Sequence, residues 1–263
     1  MRRGVGRPAG YAIAIAALLA GWQVLALALR SPALPGPAEA LPVFVSLAPE
    51  LLPHAALSLW RVVASMAIGT VLAVPLGLAI GRSALADSIF APLMFLTYPV
   101  PKVVFLPVLL VIFGLGDISK IVLIATIAFF QILLTARDAA RAIPEGAVLS
   151  VRSLGATRLD IARHVVFPAA LPDIFTALRI STGTAVAVLF LAESIAGTDG
   201  LGWFIMDSWG RIDYPRMFAG ILAMALTGVV LYEAIELVER LTTRWRRSAR
   251  ERASSSPSAN STL

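Results

Sequence analysis

The sequence predicts an all-α membrane protein with six spanning helices. Three observations carry that prediction. Hydrophobic residues make up 58% of the chain and charged residues 14%, whereas a soluble domain is about half apolar and about a quarter charged. Mean hydropathy is +0.84. Several apolar runs approach the roughly 20 residues that a helix needs to cross a bilayer core. None shows the ten-residue alternation of a barrel strand, so backbone pairing in lipid has to be helical.

The six runs are Tyr11–Leu29, Val62–Ile80, Phe90–Phe113, Ile121–Ala136, Thr176–Ile195 and Met217–Leu237. The first follows Arg2, Arg3 and Arg7 and is longer than the apolar core of a signal peptide, so it is expected to stay as a helix. The third carries Pro99, Pro101 and Pro107, which predict a distorted helix. The fourth is short, and its start could lie as early as Ile118.

Orientation follows from the 22 Lys and Arg residues. With the N-terminus inside, the cytoplasmic side holds Arg82, Arg137, Arg141, Arg152, Arg158, Arg163, Arg179 and the arginines from Arg240 to Arg252. The outside keeps only Arg30, Arg61, Lys120, Arg211 and Arg216. This asymmetry predicts an N-in, C-in protein. The net charge of +6 is therefore spent on topology, and nucleic acid is not an expected partner.

Residues 1–60 form a first helix and an external segment that starts Pro-rich and ends in an amphipathic helix from about Ala48, expected along the membrane surface. Residues 61–240 form the core, with a cytoplasmic loop at 137–175. Residues 241–263 form a basic tail whose small polar end, 248–263, reads as disordered. Between the last two spans, 196–216 is punctuated by glycine and carries Trp203, Trp209 and Tyr214, which suit a membrane interface.

The loop is polar and helix-compatible in an otherwise greasy chain. Arg137 to Ala142 would extend the fourth helix into the cytosol. Pro144 sits where a new helix begins, with Glu145 in its first turn. Gly155 ends an apolar pattern of Val148, Leu149, Val151 and Leu154, because glycine accepts positive φ. Thr157 and Asp160 have capping-box spacing for a second helix. Pro168 and Pro172 are expected to turn the chain back into the membrane. The result is a projecting helix–turn–helix suited to a groove on a partner. A mere linker needs only a few residues.

Gly155, followed nine residues later by Val165-x-Phe167-Pro168, resembles the second half of the EAA motif of ABC-importer permeases: E-A-A, three residues, Gly, nine residues, I-x-L-P. The triplet itself falls on Leu149, Ser150 and Val151, without the acidic residue, which leaves the family's salt bridge without its carboxylate. Ser58 to Ser83, Tyr98 to Ile121 and Leu191 to Ile205 are similar to the sulfonate, nitrate and taurine branch. The resemblance covers roughly 50–240. It implies a type I permease fold, a homodimer, two separate ABC ATPase subunits that bind the ATP, and an extracytoplasmic solute-binding protein. The docking loop would use Leu149, Ser150, Val151, Gly155, Arg158, Asp160, Ile161, Val165, Phe167 and Pro168.

Other residues invite chemistry. Lys102 lies inside the third span, and intramembrane charges are functional candidates by default. It either draws an anion into the path or snorkels to the headgroups. Glu193, near the outer end of the fifth span, either shapes the substrate path or makes a structural hydrogen bond. Glu233, Glu236 and Glu239 are expected to pair with the arginines from Arg240 onward. Gly77 and Gly81 form GxxxG, a packing pattern, while Gly197, Gly200 and Gly202 are turn residues. The chain has no cysteine and no Walker A sequence. His54 and His164 fall on opposite sides of the membrane, so neither a metal centre nor a catalytic set is expected.

These observations, with the resemblance, imply a non-catalytic translocation subunit in the inner membrane, bringing in a small oxyanion such as an alkylsulfonate, taurine or nitrate. A thiamine pyrimidine precursor is the alternative cargo of that branch. A self-contained channel or ion-coupled transporter would need intramembrane acidic relays, which are sparse here. An intramembrane enzyme would need a catalytic set.

Overall fold

A computed structural model describes residues 7–243; the expected disordered tail, Arg2 and Arg3 lie outside the described residues. The chain folds as α1 (Arg7–Leu29), α2 (Pro37–Ser46), α3 (Ala48–Gly81), α4 (Ala84–Thr97), a 3₁₀ turn at Lys102–Phe105 leading into α5 (Leu106–Phe113), α6 (Asp117–Arg141), α7 (Glu145–Arg152), α8 (Arg158–Ile161), a π-helical turn at Ala162–Val166 leading into α9 (Phe167–Ala196), α10 (Leu201–Gly210) and α11 (Tyr214–Thr242). Five helices are long and apolar enough to cross a membrane, and α4 with Lys102–Phe113 makes a sixth span if the two are taken together.

Several expectations need correction. The third span, expected as one distorted helix over Phe90–Phe113, is broken after Thr97 and bends by 78°. Tyr98 still has helical dihedrals as the C-cap of α4, but Pro99 and Pro101 supply no N–H to carry the helix further, and the ring of Pro101 disfavours helical dihedrals at Val100. The surface helix expected from Ala48 is no separate element. It is the first part of α3, whose 34 residues span about 51 Å at 1.5 Å per residue. Finally, Pro168 and Pro172 do not turn the chain. The Pro168 ring would crowd the carbonyl of His164, four residues back. The wide π-helical turn falls on that stretch, and the helix runs on through Pro172.

The described residues fall into two compact units, 7–60 with 190–227 and 61–189 with 228–243. The core of the second is built from α3, α6 and α9 around Ala73, Val74, Ile132, Leu133, Ala170 and Ile174. Here GxxxG packs helices within one chain. A Cβ on Gly77 would stand 2.7 Å from the Leu133 carbonyl oxygen and 2.8 Å from Ala136 Cβ, so the α3 and α6 backbones touch. Arg61 and Lys120, expected in external loops, are buried in this unit. Arg61 Nε donates to Asp117 Oδ1 at 2.9 Å, and Lys120 Nζ donates to the Leu115 carbonyl at 3.2 Å. Arg137 and Arg141 both reach Asp87, and Glu239 pairs with Arg179 rather than with the tail. Glu236 pairs with Arg240, as expected.

In the first unit, Trp22 Nε1 donates to the Pro35 carbonyl at 3.0 Å and its ring stacks on Phe218 at 5.6 Å. None of residues 12–29 of α1 is buried, which fits a lipid-facing helix. The N-terminus of α10 is held by side chains from α3 and α9, described next.

Candidate functional site

The loop after α6 folds as the helix–turn–helix read from the sequence. Pro144 precedes α7, and Glu145 opens its first turn. The turn that follows needs φ +85° at Gly155, a region that costs an L-residue roughly 1–2 kcal/mol. A Cβ there would meet nothing within 4 Å, so backbone conformation and not space requires the glycine. The capping box then starts α8. The Asp160 N–H donates to Thr157 Oγ1 at 3.2 Å, and the Thr157 N–H donates to Asp160 Oδ2 at 2.9 Å.

One face of this element is fixed to the unit's interior. Ile161 and Val166 are buried with Ala140, and Leu78, Ile143, Val148 and Val165 pack around them. The other face is apolar and open. Leu149, Leu154 and Leu159 are 58%, 86% and 74% exposed. Water contact of that size is unfavourable by roughly 25 cal/mol per Å², and an apolar patch rimmed by polar residues marks a partner surface. Arg158 and Ser150 are exposed beside it, Val151 and Pro168 are half-buried, and Phe167 is exposed. Of the ten loop residues singled out, Ile161 faces inward and Asp160 serves as a cap.

The loop residues singled out from the sequence do not include Leu154 and Leu159, although both are more exposed than Leu149. Leu154 belongs to the apolar pattern that Gly155 ends, but α7 itself ends at Arg152, so its helical period does not fix the direction of Leu154. Their even spacing from Leu149 was the available signal.

Lys102 sits in the break of the third span, in the second unit. Its ammonium donates to the carbonyls of Thr97, Tyr98 and Val100 at 3.0, 3.1 and 3.3 Å and lies 4.4 Å from the centre of the Phe130 ring. An ammonium has three hydrogens, and three carbonyls receive them. Glu193 belongs to the first unit and is fully buried. Both of its oxygens accept from Ser58 Oγ at 2.9 Å, and Oε2 also accepts the Gly202 N–H at 2.8 Å. Ser58 Oγ in turn accepts the Leu201 N–H at 2.9 Å, and His54 Nδ1 accepts the Gly200 N–H at 3.1 Å. A carboxylate at a helix N-terminus is favourable, and Gly200, at φ +90°, brings the chain over it. Among the described residues no group of three or more His, Asp or Glu side chains is placed to hold a metal ion.

Residues 69–244 match the family of the binding-protein-dependent transport system inner membrane component. The taurine transport system permease protein TauC of Escherichia coli K12 is 32% identical over 232 residues, 85% of this chain and 84% of that protein. A putative aliphatic sulfonates transport permease protein, SsuC of Bacillus subtilis, is 29% identical over 89% of this chain and 86% of its own length. Among solved structures, a chain of the inward-facing MetNI methionine ABC transporter superposes with a TM-score of 0.61 at 24% identity, over 73% of this chain and 96% of that one. The bent third span and the projecting loop both lie inside the matched region, and the chain belongs to the binding-protein-dependent transport system inner membrane component family, as a multi-pass protein of the inner membrane.

Proposed function

We propose that the chain is the translocation subunit of an ATP-driven importer of small sulfonates, the class that contains taurine and the alkylsulfonates. The observation that carries this reading is the open leucine face of the Glu145–Val166 helix–turn–helix, held rigidly from behind by Ile161 and Val166. A cytoplasmic ATPase subunit grips that face, and two copies of the chain work as a pair with two such subunits. An extracytoplasmic solute-binding protein delivers the cargo. ATP must bind one conformation of the assembly better than the other, and the loop carries that difference to the spanning helices. The sulfonate reading is supported by the long matches to the taurine and aliphatic sulfonate permeases.

The test is reconstitution. The chain is placed in proteoliposomes with its ATPase and binding protein, and uptake of labelled taurine, an alkylsulfonate, nitrate and the thiamine pyrimidine precursor is compared. ATP-dependent uptake of the sulfonates is expected. Uptake by the chain alone would overturn the ATPase role. Uptake of the pyrimidine in preference to sulfonates would overturn the cargo. Leu154→Asp with Leu159→Asp should abolish co-purification of the ATPase subunit.

A further inference from the structure

Beside the leucine face, and sharing Leu159 with it, α3 and the α7–α9 segment enclose a groove of about 750 Å³. Four guanidinium groups line it, those of Arg82, Arg152, Arg158 and Arg163, and no Asp or Glu is among its lining residues. Arg82 is anchored by donating to the Ala140 and Ile143 carbonyls at 3.4 and 3.3 Å. Among the described residues, none of Arg152, Arg158 and Arg163 has a carboxylate partner. Asp160, adjacent in sequence, has its carboxylate turned to Thr157. Like charges gathered in one concavity repel unless an anion sits among them, and planar guanidinium forks match phosphate oxygens.

Apart from Ser83 the remaining lining residues are apolar, Val74 and Leu78 among them. An exposed apolar row leads away from the groove. Ile68, Leu72, Pro75 and Ala79 fall on one row of α3 that ends at Arg82, and all four are exposed. That row climbs into the spanning part of α3, where a soluble protein partner does not reach. An anionic head with a long apolar tail satisfies both parts, and basic pockets on the cytoplasmic side of spanning helices bind such headgroups.

We propose that this groove holds an anionic phospholipid, with its phosphate among Arg82, Arg152, Arg158 and Arg163 and an acyl chain along Ile68, Leu72 and Pro75. The inference goes beyond the transport reading, and its test contains neither ATP nor cargo, so its failure would leave that reading standing.

The purified full-length chain is placed in nanodiscs of phosphatidylcholine with a minor fraction of phosphatidylglycerol, and the lipids it retains on release are weighed by native mass spectrometry. Phosphatidylglycerol should be enriched about tenfold over its bulk share, given the usual attraction per arginine near a membrane surface. The double variant Arg152→Gln, Arg163→Gln should bring retention back to the bulk ratio. Both residues are exposed, so the fold should survive, as an unchanged thermal profile would show. Arg152→Lys, Arg163→Lys should keep part of the enrichment, because it keeps charge and loses the fork. No enrichment in the unaltered chain, or equal enrichment in the Gln variant, would overturn the proposal. So would displacement of the lipid by the ATPase subunit together with failed assembly of the Gln variant, which would make the groove a protein dock.

Discussion

Ser58 on α3 and Glu193 on α9 are tied together, with the serine hydroxyl 2.9 Å from both carboxylate oxygens while it accepts the Leu201 N–H. The pair therefore sets the start of α10. Glu193→Ala removes the acceptor for the Gly202 N–H and for the serine proton. Each orphaned buried group costs about 1–3 kcal/mol, so the thermal midpoint followed by tryptophan fluorescence in detergent should fall clearly. Glu193→Gln keeps one acceptor oxygen and should lose less. Equal midpoints for Ala and the unaltered chain would mean that the pair does not hold α10.

Gly77 is a site of backbone contact, and its substitution tests the α3–α6 packing. An added methyl would lie 2.7 Å from the Leu133 oxygen. Gly77→Leu should therefore sharply reduce the amount of folded protein in the membrane, since overpacking costs about 1–3 kcal/mol even for smaller insertions. Gly183 is the control, because a Cβ there meets nothing within 4 Å. Gly183→Ala should accumulate normally.

At Gly155 the constraint is conformational, which separates two substitutions of similar size. Asn tolerates left-handed backbone and a β-branched residue does not. Gly155→Asn should retain most ATP-driven uptake. Gly155→Val should lose it while inserting in the membrane at the normal level. Full uptake by the Val variant would remove this turn from the coupling path.

The helix–turn–helix after α6 is legible in the sequence because its signals are local. Pro144, Gly155 and the Thr157–Asp160 pair each act within four residues. The charges of Arg61 and Lys120 were not legible as buried groups. Arg61 is paired with Asp117, 56 residues away, and Lys120 donates to the Leu115 carbonyl at a turn. A count of basic residues treats every arginine as wet, and pairing between helices leaves no local trace. The bend at Thr97 was half legible. The prolines announced distortion, but the 78° angle depends on what packs around the break. The exposure of Leu154 was not legible, because α7 ends at Arg152 and no helical period reaches the turn.

The absence of cysteine in the chain makes its orientation directly measurable. Leu154 is 86% exposed at the turn, so Leu154→Cys should be non-disruptive and fully reactive. A membrane-impermeant maleimide should label it in inside-out vesicles and leave it unlabelled in right-side-out ones. The reverse pattern would put the turn outside and end the ATPase-docking interpretation.

Lys102 offers the sharpest choice between a path residue and a positioning residue. Its three N–H groups are directed at the Thr97, Tyr98 and Val100 carbonyls at the break in the third span, of which Thr97 also accepts the Val100 N–H at 3.3 Å. Such carbonyls are costly at membrane depth unless something donates to them. Lys102→Met keeps the bulk of the side chain and removes every donor. It should lower the thermal midpoint, because carbonyls of the spanning segment lose their donor. It should reduce the maximal uptake rate for every cargo alike and leave KM unchanged, because the geometry of the span is damaged and not an anion contact. Lys102→Arg, with five N–H groups, should recover part of both. The opposite split, a KM for sulfonate raised about tenfold (some 1.4 kcal/mol of lost attraction) with the midpoint unmoved, would place the ammonium in the substrate path.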